Sequence, residues 1–153
     1  MLLRTRRLKR RGAVTVEMAA IAPVLVAIVA GFITSSRLVD TKSELSTAAR
    51  LGARVAIMER SLLDPGKSVT DIVTSEVRAY LNAAGLPGDD VAIKIVEATD
   101  HTTPFDIENP DNNLRLFELR LELPWSTVSG VSADDWKLTA KVVFRNARSE
   151  FVQ

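Results

Sequence analysis

The sequence predicts an α+β chain: a long N-terminal helix that crosses a membrane and continues as a stalk, then a short amphipathic helix and a small antiparallel sheet. Three observations predict it. Residues 18–36 (MAAIAPVLVAIVAGFITSS) carry no charge, which matches the roughly 20 apolar residues a helix needs to span the hydrocarbon core. Small and apolar residues then continue at helical spacing. Beyond them, three segments alternate with a period of two.

Charge orients the span. Arg4, Arg6, Arg7, Lys9, Arg10 and Arg11 fall in the first eleven residues, and against a whole-chain charge of +1 they leave the rest acidic at −5. Basic residues beside a hydrophobic segment keep that end in the cytoplasm. The expected organisation is a cytoplasmic leader at 1–12, a transmembrane helix at 13–36, and an extracytoplasmic α+β domain at 37–153 that includes the helix extension. The acidic remainder argues against nucleic acid as a partner, which needs a basic face. With no cysteine, disulfides and thiolate chemistry are excluded, so packing alone holds the domain together.

The helix is expected to run from about Ala13 to about Arg60. Residues 37–60 contain no proline, and Leu38, Leu45 and Gly52, with Ala48, Val55 and Ala56, recur at helical spacing. Asp64-Pro65-Gly66 breaks it. Ser68 caps a second helix with Asp71 three residues on. Val69, Ile72, Val73, Val77, Tyr80, Leu81 and Ala84 form one apolar stripe, and Gly85 and Pro87 end the helix. In the strands, Val91, Ile93 and Ile95 face one way, as do Phe117, Leu119, Leu121 and Leu123, and Leu138, Ala140, Val142 and Phe144. Lys94, Glu118, Arg120, Glu122 and Lys141 fall on the wet face.

Arg10-Arg11-Gly12 precedes Ala13-Val14-Thr15-Val16-Glu17 and the apolar run. A basic leader, a glycine, four uncharged residues, a glutamate and a hydrophobic helix resemble a type IV prepilin processing signal. That resemblance implies a membrane aspartyl peptidase, the prepilin peptidase, cutting between Gly12 and Ala13. Glu17 then becomes the fifth mature residue and pairs with the new amine of Ala13 on a neighbouring chain. The alternative is an interfacial Glu17 that faces headgroups or water and profits from the helix dipole.

RRGAVTVEMAAIAPVLVAIVAGFI followed by AARLGARVA is similar to the TadE-like family of tight adherence (Tad, or Flp) pilus systems. Gly12, Val16, Glu17, Ala19, Pro23, Ala48, Ala49, Arg50, Gly52, Ala53 and Arg54 carry the match. Leu123-Pro124-Trp125 and a last strand ending near Arg145-Asn146 extend it. The sequence departs from the pattern at Ala22, where leucine is usual, and at Phe32-Ile33-Thr34. The resemblance implies a pilin-like fold and a minor pilin or pseudopilin of the bacterial inner membrane. It is then a structural component, not an enzyme, and works with other pilins and the inner-membrane Tad assembly proteins. No cofactor, metal or small-molecule substrate is expected. The competing expectation is an unprocessed, membrane-anchored extracytoplasmic binding module.

Within AARLGAR, Ala48, Gly52 and Ala56 form one small-residue row and Ala49 and Ala53 a second. Such rows let backbones approach closely, either against another chain or beneath this chain's own sheet. Arg50 and Arg54, one turn apart, are placed to meet a neighbour's carboxylates. Lone His101 sits in a loop and supports neither a triad nor a metal site. Asp106, Glu108 and Asp111 lack the spacing of a calcium loop, and Asn109-Pro110-Asp111 marks a polar connection. Asp89-Asp90 falls in a solvated turn. Trp125 and Trp136 are expected at the edge of the core.

Overall fold

A computed structural model describes residues 11–58, 66–129 and 136–147, with side chains in the first helix from Val16 onward. Residues 1–10 of the basic leader and the Asp64-Pro65 break lie outside the described residues. The chain falls into two units, Met1–Leu38 and Val39–Gln153. Helix α1, Arg11–Ala56, begins in the first and ends in the second. It stops four residues short of the expected Arg60, with Ile57 in a turn.

In the first unit, every side chain from Val16 to Ser36 is exposed, among them Ile21, Val24, Leu25, Ile28, Val29 and Phe32. An apolar face this long on a soluble surface would be an aggregation site; in lipid it is the solvent-matched surface. Pro23 lies inside the helix. Thr34 and Ser35 donate their hydroxyls to the carbonyls of Ala30 and Gly31, at 3.0 and 2.9 Å, which satisfies two polar groups inside the apolar run.

The second unit is an α+β domain. Helix α2 spans Val69–Ala83. Ser68 caps it, its hydroxyl accepting from the Thr70 N–H at 3.3 Å. Glu108 Oε1 accepts from the Val69 N–H at 2.9 Å, so a carboxylate sits at the positive end of the helix dipole. At the other end Gly85 takes φ +78. Leu86 N–H returns to Leu81 O and Gly85 N–H to Asn82 O, the paired bonds of a glycine-terminated helix.

Strands β1 (Ala92–Glu97), β2 (Leu116–Pro124) and β3 (Lys137–Arg145) form one antiparallel sheet in the order β1-β2-β3. The register pairs Ile95 with Leu119 and Leu119 with Val142. Cross-strand partners share a face, so the expected inner row is the observed one. It packs against Val69, Val73, Val77 and Leu81 of α2 and Leu45, Ala48, Ala49, Ala53 and Ala56 of α1.

Three features depart from the expectation. A short helix α3, Trp125–Ser129, leaves β2 directly. Trp125 is buried as expected, whereas Trp136 is 68% exposed. The connection between β1 and β2 contributes to the core: Phe105 and Ile107 are buried, and Phe105 stacks on Phe117 with centroids 5.7 Å apart. Its Pro110–Asn112 part is the polar turn expected there.

Asn146 locks this connection to the end of β3. Its N–H donates to Arg115 O, its carbonyl accepts from Leu114 N–H, and its amide donates to Ile107 O at 3.3 Å and Asn112 O at 3.1 Å. It is 1% exposed. Asn146→Ala leaves the buried carbonyl of Ile107 without this donor and removes one of the two donors to Asn112 O, and its expected cost is about 1–3 kcal/mol of domain stability, measured by denaturant unfolding of the full chain in detergent. An unchanged midpoint and slope would show that the clasp carries no weight.

Candidate functional sites

The expected site residues are distributed along α1. Gly12, Ala13 and Glu17 lie in its first turns. Only Glu17 has a described side chain among them, and it is exposed. The second group, Ala48 to Ala56, lies in the last turns of the same helix, within the second unit.

That second group splits by face. Ala48, Ala49, Gly52, Ala53 and Ala56 are buried within the domain. A Cβ added at Gly52 would lie 2.6 Å from Val77 Cγ2 and 2.8 Å from Leu119 Cδ2. Both small-residue rows therefore serve this chain's own α2 and sheet. Arg50 and Arg54 are exposed, and neither takes part in an ion pair among the described residues. Glu44 on the same helix accepts from the Tyr80 hydroxyl at 2.7 Å. This bond, with burial and the nearby negative charge, raises the pKa of the phenol.

A polar cluster emerges that periodicity did not point to. Glu118 was expected on the wet face of β2 but is 1% exposed. The chain after β1 turns back, so that Glu97 N–H bonds Thr103 O and Phe105 N–H bonds Ile95 O. This return brings His101, at φ +60, over the outer face. His101 Nδ1 lies 2.8 Å from Glu118 Oε2, an ion pair once the imidazole is protonated. Arg120 donates to Glu118 Oε1 through Nε at 2.9 Å and Nη2 at 2.6 Å. Burial pushes the Glu118 carboxyl up, but Arg120 and His101 together outweigh it and hold it below the ordinary range. Asp100 sets the turn. It accepts from the Thr103 hydroxyl and from the N–H groups of Thr102 and Thr103, bonds that lower its carboxyl from 3.8 to about 2. The one available signal was Asp100-His101-Thr102-Thr103, which combines a turn-forming aspartate with a titratable side chain.

Among the described residues no group of three or more histidine, cysteine, aspartate or glutamate side chains could hold a metal ion. His101, Glu118 and Arg120 form a structural clasp: Oε1 of the carboxylate is held by the Arg120 guanidinium and Oε2 lies against the His101 ring.

One described helix, Val16–Ala56, is long and apolar enough to cross a membrane. Helix α1, of which this span is the greater part, holds Gly12 and Glu17 in its early turns and the AARLGAR rows in its last turns. Residues 12–54 match the family model of TadE-like protein. The match lies within α1 and includes every expected site residue except Ala56. TadE-like proteins are structural pilus components and are not known as an enzyme family. The TadE-like match and the apolar helix fit a Tad-pilus-related membrane protein. No curated protein and no solved structure matches the chain.

The clasp gives stability a defined acid dependence. A carboxyl whose folded pKa is depressed contributes stability that is complete above its unfolded value and is lost as pH falls through the folded value. For Asp100 that window runs from 3.8 down to about 2, and Glu118 acts in the same sense from its ordinary 4.5 downward. Thermal unfolding of the full chain in detergent is expected to weaken across this range, and Glu118→Gln is expected to flatten part of the slope. A slope identical to wild type in that variant would remove Glu118 from the account.

Proposed function

We propose that this chain is a TadE-like minor pilin or pseudopilin, anchored in the bacterial inner membrane with its leader in the cytoplasm and its domain outside. It acts as a structural part of a Tad pilus or related secretion apparatus. The observation that carries the reading is the single helix α1, whose exposed apolar stretch continues without interruption into the buried alanine and glycine rows. One helix thus supplies both an apolar surface suited to lipid and part of the core of the folded domain.

In this reading a prepilin peptidase cuts between Gly12 and Ala13. The leader's arginines hold the bond on the cytoplasmic side. Glu17, costly in hydrocarbon by a few kcal/mol, pairs with the freed amine of Ala13 on a neighbouring pilin. Arg50 and Arg54, exposed on the stalk, meet carboxylates of the same or another neighbour. The small residues beside them are already used within the domain, so the lateral contact of the stalk is charged. The partners are the membrane, the peptidase, other pilins or pseudopilins and the inner-membrane Tad assembly proteins.

In cells containing a prepilin peptidase, intact mass should show wild type lacking residues 1–12. A larger residue at Gly12 should leave the chain heavier by that leader. Glu17→Ala should be cut normally yet recover fewer partner pilins in a pull-down, because losing one member of a buried pair costs about 3–5 kcal/mol. The competing membrane-anchored binding module predicts one unchanged mass for wild type and the Gly12 variant, and a neutral Glu17→Ala. That outcome would overturn the pilin reading.

A further inference from the structure

The sheet has two edges, and among the described residues the fold-back covers part of one, at Ile95–Glu97 of β1. On the β1 side, residues 103–105 fold back so that Val96 bridges Pro104 and the flanking N–H groups are bonded. On the β3 side, no described residue bonds the outward main chain of residues 137–144. Over residues 137–144 the outward main-chain groups, one residue in two, therefore have no partner among the described residues. An open edge of this length is a template for another strand.

Charge decides which strand. On the outer face, Glu122 is paired with Lys94 at 3.1 Å, and Glu118 with Arg120 and His101. The carboxylates of β1 and β2 are spent. Lys137, Lys141 and Arg145 share that face at every fourth position of β3, all exposed. None has an ion pair among the described residues. The register sets Lys141 opposite Arg120, already committed to Glu118, and Arg145 opposite Leu116. Val143, exposed between Lys141 and Arg145, lies beside exposed Leu116.

The same row disfavours a second copy's β3 in the symmetric register. Antiparallel pairing centred on Lys141 would set Lys141 against Lys141 and Lys137 against Arg145, and like charges directly opposite are destabilising. The cations thus weigh against that self-pairing and favour an acidic strand, specificity built from a repulsive element as well as an attractive one.

We propose that the outer edge of β3 accepts an extended acidic segment of another protein as a fourth antiparallel strand, its carboxylates at every fourth residue opposite Lys137, Lys141 and Arg145 and an apolar residue opposite Val143. Main-chain bonds supply the affinity and the three charge pairs select the partner. The site does not depend on leader removal or on Glu17.

The test uses the full chain in zwitterionic nanodiscs and a fluorescent nine-residue probe, with glutamate at its first, fifth and ninth positions, valine at the third and seventh, and threonine between. The probe is expected to bind saturably. Two N-methylated versions, one for each edge of the probe, are expected to differ: the one blocked on the pairing edge does not bind and the other does. Combined Lys137→Glu, Lys141→Glu and Arg145→Glu is expected to weaken binding roughly ten-fold and to favour a probe with lysine in place of glutamate. No saturable binding overturns the proposal. Equal binding of both N-methylated probes overturns it too, because charge alone would then account for the contact.

Discussion

Gly52 sets the distance at which the domain can assemble. At this position α1, α2 and β2 converge so closely that a single added carbon would meet Val77 and Leu119 below van der Waals contact. Around it, Ala48, Ala49 and Ala53 are completely buried and Ala56 nearly so. A helix with bulkier residues here would hold α2 and the sheet outward, and the inner row of β2, from Phe117 to Leu123, would lose its floor. The large side chains are instead supplied from the other side by Phe117, Leu119, Leu121 and Leu123, so the core alternates thin and thick layers. Interiors pack at nearly crystalline density, which leaves little tolerance at the thin positions.

This constraint changes the meaning of the AARLGAR segment. Small residues at helical spacing are ambiguous in sequence, because the same pattern serves packing between chains and packing within one. The structure uses both rows inside the domain and leaves Arg50 and Arg54 as the exposed remainder. The TadE-like match therefore ends on a segment with a folding role. Helix α1 supplies both the exposed apolar run and part of the domain core. Among the described residues the exposed features include that run, Arg50 and Arg54, and the cationic row of β3.

The regular elements were legible because each carries a clear period. The uncharged run, the stripe of α2 as far as Leu81, its Ser68 cap and Gly85 stop, and the three strands stand where local pattern put them, while Ala84, expected in the stripe, is exposed beyond the helix end. What was not legible came from non-local return of the chain. Glu118 fits a wet position in a two-residue period, and only the fold-back that carries His101 over it makes it buried. Phe105 and Ile107 have no periodic neighbours to mark them as core, although Phe105 completes an aromatic pair with Phe117. Asn146 looked like the end of a strand, while its weight lies in bonds to Ile107 and Asn112, far away in sequence. Trp136 was assigned to the core edge by residue type alone, and exposure overrode that preference.

The most direct test of the account is a comparison of one substitution at two glycines of the same helix, Gly52→Leu and Gly31→Leu, followed by thermal unfolding of the full chain in detergent. Gly31 has nothing within 4 Å of an added Cβ, so Gly31→Leu should leave the domain transition in place. Gly52→Leu overpacks the junction of α1, α2 and β2 by about 1–3 kcal/mol or more, a fall of roughly 10 °C in Tm for a domain of this size. If Gly52→Leu unfolds at the wild-type temperature, the close approach at Gly52 is not what holds the domain on the helix, and the account is wrong at its base.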